Sequence, residues 1–217
     1  MNYGFAPSVM DGTEHVFKSE EQSTLELPDT YDYRPYMPSV IDQGQRPICV
    51  PCSISGVIAW KYGLNGAKFD FSLDWIYSHR DDKNGQGMTF KTALSTMRHI
   101  GYVTNKDYKS TGDFNEIGKK GIKIDSYARL MDLDSMKKSL FINGPFVLAL
   151  PVHDSSRQDF WNGNGNEGAH AICAVGYNPE SIIIRNSWGT DWGNKGYTYL
   201  NYSDFNKIYE AWAIIGA

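Results

Sequence analysis

Apolar positions recur at helical spacing in the first half of this chain. In the second half they gather into short runs bounded by turn residues. From Cys49 onward, Val50, Ile54, Val57 and Ile58 follow the spacing of one helix face, while Cys52, Gly56 and Trp60 fall on other faces. A helix that is apolar all round predicts a central, buried position. Pro51 lies in its first turn, where a missing N–H breaks no intrahelical bond. A second helix is predicted from residue 73 to about 80. A third covers 89–99, with Phe90, Ala93, Leu94 and Met97 as its apolar stripe and Gly101 as its stop.

The pattern then changes. Residues 122–131 read as a strand. Residues 133–142 read as a helix capped by Asp132 and closed by Asn143-Gly144-Pro145, with Leu133, Met136 and Leu140 on one face. Further strands are predicted at 146–150, 169–177, 181–185, 196–201 and about 209–215. A helical half followed by a β-rich half predicts the α+β class, with two lobes meeting at a cleft. The expected division is an arm at 1–27, a mainly helical lobe at 28–120 and a β-rich lobe at 121–217. The arm is polar and acidic, carrying Asp11, Glu14, Glu20, Glu21 and Glu26. It is expected either as a solvated tail or as a strap docked on the domain.

Composition narrows the class. The 217 residues carry a formal charge of −4, which gives no electrostatic footprint for nucleic acid or an anionic membrane. No apolar run approaches membrane-spanning length. The opening Met1-Asn2-Tyr3-Gly4-Phe5-Ala6-Pro7 lacks the basic and apolar regions of a secretory signal. Three cysteines make no disulfide framework. The expectation is a cytoplasmic protein in a reducing compartment, and the sequence sets no oligomeric state.

Four residues carry the candidate chemistry. Cys49 opens the buried helix, six residues after Gln43 in Asp42-Gln43-Gly44-Gln45-Arg46-Pro47-Ile48-Cys49. His170 lies at the start of an apolar strand, and Asn186 follows sixteen residues later in Asn186-Ser187-Trp188-Gly189. A thiol reacts as its thiolate, and its ordinary pKa of about 8.5 makes it a poor nucleophile. The helix N-terminus and a nearby imidazolium are expected to stabilise the Cys49 anion. Asn186 can accept from the second imidazole nitrogen and fix its tautomer. Gln43 and the Cys49 N–H can donate to a developing oxyanion. Trp188 is expected to cover the His170–Asn186 contact.

This set resembles the papain-like cysteine peptidases over nearly the whole chain. Leu27-Pro28-Asp29-Thr30-Tyr31-Asp32-Tyr33-Arg34 is similar to the start of the mature enzymes, and the Gln43–Cys49 and His170–Asn186 spacings match the family. The wording around Gln43 is nearer the disulfide-poor bacterial and viral members. The resemblance implies a helical left lobe, an antiparallel β-barrel-like right lobe and hydrolysis of protein or peptide substrates between them, with no cofactor or metal. It implies that Gly85, Gln86, Gly87 and Met88 form a glycine-rich edge that holds substrate backbone. Ala149, Gly168, Ala169 and Ala171 are implied neighbours of the substrate, with an apolar side chain preferred in the second pocket (P2). The chain departs from the family at Pro47-Ile48 and Val50, where Gly-Ser and Trp usually flank the nucleophile. About 27 residues precede the mature-like start, so control by a long propeptide is not expected.

Other readings stand beside this one. Pro47 and Ile48 obstructing the cleft would leave a catalytically impaired binding module on the same scaffold. Cys49-Val50-Pro51-Cys52 is a CxxC at a helix start, a thiol–disulfide exchange pattern that here lacks the βαβ setting. Asp82 to Gly87 faintly resembles a calcium loop, but Ala93 occupies the position that needs a bidentate Glu. The Asn201-Tyr202-Ser203 sequon is expected to be silent. The histidines outside the site, His15, His79, His99 and His153, show no metal-ligand spacing.

Overall fold

The structure is a computed structural model that describes residues 4–18, 24–63, 70–110, 113–152, 161 and 168–216. Helix α1 (Cys49–Gly63) is the central element, and every residue from Cys49 to Ile58 is buried. Around it lie α2 (Leu73–Ser78) and α3 (Phe90–His99). Their first turns are capped by the side chains of Ser72 and Thr89, which accept from the N–H groups of Trp75 and Thr92. Two short helices, α4 (Asn105–Ser110) and α5 (Phe114–Gly118), complete the helical half. No apolar periodicity announces them. Thr104 and Asp113 hold them by accepting from the Asp107 N–H and from the Asn115 and Glu116 N–H groups.

The second half supplies an antiparallel sheet. Its strands are β1 (Tyr31–Asp32), β2 (Ser126–Arg129), β3 (Phe146–Pro151), β4 (Ala169–Tyr177), β5 (Ser181–Arg185), β6 (Tyr197–Asn201) and β7 (Glu210–Ile215). They run in the order β2-β7-β3-β4-β5-β6, with β1 paired to β4 from the first half of the chain. The predicted strand at 122–131 shrinks to β2, because Ile122 pairs with Tyr102 instead and only residues 126–129 ladder with β7. Helix α6 (Leu133–Asn143) packs on β4 and β7. Asp132 caps it, with reciprocal bonds to Ser135.

The lobes meet where α1 lies against β4. Gly56 permits the approach: a Cβ there would stand 2.6 Å from Arg185 Nη1 and 3.4 Å from Cys173 Sγ. Cys173 Sγ also donates to the Ser53 carbonyl of α1, at 2.9 Å. The N-terminal end of α1 is thereby held beside the start of β4. No helix among the described residues is long and apolar enough to cross a membrane.

Candidate active site

Cys49 is the first residue of α1 and is fully buried. The helix packs on β4, where the Ala171 backbone N–H, one residue past His170, favours the Cys49 thiolate. Burial pushes the Cys49 thiol up to about 12, while the backbone N–H groups of Ala171, Val50 and Cys49 itself pull toward the anion. The helix N-terminus thus acts as the sequence reading required, but against a larger opposing effect. Cys52 is also buried, and burial raises its thiol as well. Cys173 stands at about 11 for the same reason. All three cysteines are free.

His170 is buried on β4, and the antiparallel pairing of β4 with β5 brings Asn186, just past β5, to its side. His170 Nε2 lies 2.8 Å from Asn186 Oδ1. The same oxygen accepts from the Ser187 backbone N–H, also at 2.8 Å. A backbone N–H can only donate, so this contact identifies the atom as oxygen. Nε2 therefore carries the proton, and Nδ1 is the nitrogen left to act as a base. Burial drives His170 down to about 4, with the Asn186 bond pulling the other way.

Trp188 stacks on the His170 ring with centroids 4.6 Å apart and planes at 20°. Trp161 lies near-parallel to the same ring at 6.1 Å, and Trp192 meets Trp188 edge-on at 5.2 Å. Sequence reasoning found Trp188 through its motif but missed the other two. The Trp161 indole N–H donates to the Pro151 carbonyl, at 2.9 Å, which seats the ring.

Gln43 is buried in the loop before α1. Its backbone N–H donates to the Ser187 carbonyl at 2.9 Å, and its Oε1 accepts from Ser187 Oγ at 2.6 Å. Its Nε2 donates to the Arg46 carbonyl at 3.0 Å, on the turn leading to Cys49. Asp42 and Trp188 form an antiparallel bridge beside these bonds. The loop carrying Gln43 is therefore tied to the segment that orients His170. Ser187 makes this tie, and it too was missed by the sequence reading.

The edge at Gly85, Gln86, Gly87 and Met88 is built by its neighbours. Tyr77 Oη donates to the Gln86 carbonyl and Arg80 Nε to the Gly85 carbonyl, at 2.9 and 3.3 Å. Asp82 accepts from the Asn84 N–H in a tight turn, which accounts for the calcium-like wording. Met88 is buried. Ala149 and Ala171 are buried and face one another in the β3–β4 register. Gly168 precedes β4 and accepts from the Val152 N–H, and Ala169 begins that strand. His153 lies outside the described residues. A separate cavity of about 790 Å³ opens between α1, α2 and residues 36–41, and it contains none of these groups.

The sequence reading had Cys49 stabilised as an anion beside an imidazolium. In this closed arrangement burial opposes charge on both groups.

Comparison with known proteins accords with this geometry. The family model described as papain family cysteine protease matches residues 27–211. The chain belongs to the papain family of cysteine proteases. The viral cathepsin of Cydia pomonella granulosis virus is 28% identical over 205 residues, covering 84% of this chain and 59% of that protein. Papain from Carica papaya is 61% identical over 43 residues, 20% of this chain and 12% of papain. The chain thus spans little more than half of the viral protein's length. Among solved structures, xylellain from Xylella fastidiosa superposes with a TM-score of 0.85 at 23% identity, covering 100% of this chain and 96% of that one. The fold is the two-lobe papain-like α+β fold.

Proposed function

We propose that the chain is a cysteine endopeptidase that cleaves peptide bonds through a thioester. Residues 28–120 supply the lobe with the nucleophile and residues 121–217 the lobe with its base. Cys49 Sγ attacks the scissile carbonyl carbon while His170 Nδ1 takes the thiol proton. Gln43 Nε2 and the Cys49 N–H donate to the oxygen as it becomes an anion. On collapse the C–N bond breaks, the leaving amine takes the proton from Nδ1, and a thioester remains. His170 then deprotonates a water that attacks the thioester. The C–S bond breaks, the acid departs and the thiol is restored.

The observation carrying this reading is the placement of Asn186 Oδ1 between the Ser187 N–H and His170 Nε2. It commits one imidazole nitrogen to orientation and assigns proton transfer to the other. Trp188 stacked on the ring supports a role in shielding that contact from water. Substrate backbone is assigned to the Gly85–Met88 edge, with Ala149, Gly168, Ala169 and Ala171 around the neighbouring subsites. Three free, buried cysteines support a reducing compartment, and we assign the cytoplasm.

The test is turnover of a fluorogenic peptide with an apolar P2 residue. Cys49→Ala is expected to abolish it, while Cys52→Ser and Cys173→Ser retain it. Undiminished turnover by Cys49→Ala would end the proposal.

A further inference from the structure

The cavity between α1, α2 and residues 36–41 holds about 790 Å³, a volume typical of small-molecule sites. Arg185, the last residue of β5, lines it and is only 2% exposed. Its Nη2 donates to the carbonyls of Ser39 and Pro38, at 2.7 and 3.4 Å. Its Nε is buried and has no hydrogen-bond partner among the described residues. No carboxylate of a described residue forms an ion pair with it. Cys173 and Tyr197, the ionisable side chains beside it, are both pushed up by burial. They stay neutral near neutral pH and supply no counter-charge.

The cavity has two carboxylates, Asp70 and Asp74, but both are exposed and already engaged. Asp74 pairs with Arg46, and Asp70 Oδ1 accepts from Asn105 Nδ2 at 2.6 Å. Charges held in water at a cavity mouth cost little. A guanidinium taken out of water, met only by carbonyl oxygens and with an idle N–H, is in the costly state that a bound anion relieves.

The surroundings fit such a ligand. Gly56 lines the cavity and keeps the guanidinium reachable, because a Cβ there would stand 2.6 Å from Nη1. Met37, Ile41, Ala59, Phe71 and Leu73 give the same cavity apolar walls. A planar guanidinium pairs well with a carboxylate. One buried guanidinium also matches one negative charge. A doubly charged phosphate would leave its second charge uncompensated in the same low-dielectric setting.

We propose that this cavity is a second binding site, separate from the substrate groove, for a small organic monocarboxylate with an apolar body. The carboxylate accepts from Arg185 Nε, and the apolar body lies against Phe71, Leu73 and Met37.

The test titrates the full chain with hydrocinnamate, with its neutral amide and with inorganic phosphate, followed by calorimetry and backbone NMR. Hydrocinnamate is expected to bind at about a millimolar or tighter, as suits so small a probe. It should move the amide signals of Gly56, Ala59 and Phe71. The neutral amide should bind about tenfold more weakly or worse, having lost a charge-assisted bond. Arg185→Lys keeps the cation and should keep measurable binding, while Arg185→Met should lose it. Ala59→Glu is a second variant that leaves Arg185 in place. It puts a carboxylate on the cavity wall and should weaken hydrocinnamate by about tenfold or more. Circular dichroism and melting confirm folding of each variant. Equal affinity for acid and amide would overturn the proposal. So would shifts confined to the Gly85–Met88 edge, parental affinity in folded Ala59→Glu, or phosphate binding more tightly than hydrocinnamate. None of these readouts uses turnover, so failure of the peptidase reading would leave them unchanged.

Discussion

Ser187 Oγ donates to Gln43 Oε1 at 2.6 Å, joining residues 144 positions apart in the chain. This bond aims the Gln43 amide. With Oε1 held by Ser187, the Nε2 end faces the turn that leads to Cys49. Gln43→Ala is expected to lower kcat by roughly 10²–10³-fold with little change in KM, as for loss of one oxyanion donor. Ser187→Ala keeps the amide and loses only its tether. A smaller loss, about fivefold, is expected, matching a single hydrogen bond of about 1 kcal/mol. Steady-state kinetics on one peptide substrate separates the two.

The Asn186 contact predicts a charge effect. Asn186→Asp would place a carboxylate beside His170 Nε2, favouring the imidazolium. The His170 titration, followed by NMR, is expected to move up from about 4 by at least a unit. Asn186→Ala removes the orienting acceptor and is expected to reduce kcat/KM by about tenfold to a hundredfold, part of what a positioned base contributes.

Burial of His170 predicts acid sensitivity. Its folded pKa of about 4 lies below the ordinary 6.5. The unfolded chain therefore binds the additional proton first. Stability from this group is complete above about pH 6.5 and is lost as pH falls toward 4, by up to about 3 kcal/mol. Melting temperatures of the parent and His170→Gln, recorded from pH 7 to 4, should show a steeper fall for the parent. Parallel curves would assign the acid sensitivity to other groups.

Gly56 predicts a conflict between helix propensity and packing. Alanine within a helix is favoured over glycine by about 1 kcal/mol. Its Cβ would meet Arg185 Nη1 at 2.6 Å. Arg185 cannot easily yield: it is 2% exposed, and Nη2 donates to the Ser39 carbonyl at 2.7 Å. Overpacking of about 1–3 kcal/mol should outweigh the propensity gain. Chemical denaturation of Gly56→Ala is expected to show a net loss of stability.

Much of this architecture could be read from the chain because its main elements bury distinctive patterns. The continuous apolar girth of α1 reflects cover on all sides by β4, α2 and α3. The ends of β4 and β5 fell as expected at residues 169–177 and 181–185, where turn residues bound unbroken apolar runs. The short helices α4 and α5 left no such mark, since caps rather than a buried stripe sustain them. Trp161 sits in a stretch rich in Asn and Gly, where periodicity does not indicate which way a side chain turns. Ser187 is a small polar residue inside a recognised motif, and its bond to Gln43 depends on a meeting of distant segments. The arm offered scattered aromatics, Tyr3, Phe5 and Phe17, and acidic residues without periodicity, so both a tail and a docked strap were compatible with it.

The central claim is that the Cys49 sulfur and the His170 imidazole work as a pair, and selective alkylation tests it most directly. Parent and His170→Ala chains are treated with iodoacetamide at neutral pH and mapped by mass spectrometry. The account predicts adducts concentrated on Cys49, at least tenfold slower once His170 is replaced, with Cys52 and Cys173 unaffected. Equal labelling of the three cysteines, or a Cys49 rate indifferent to His170→Ala, would contradict it.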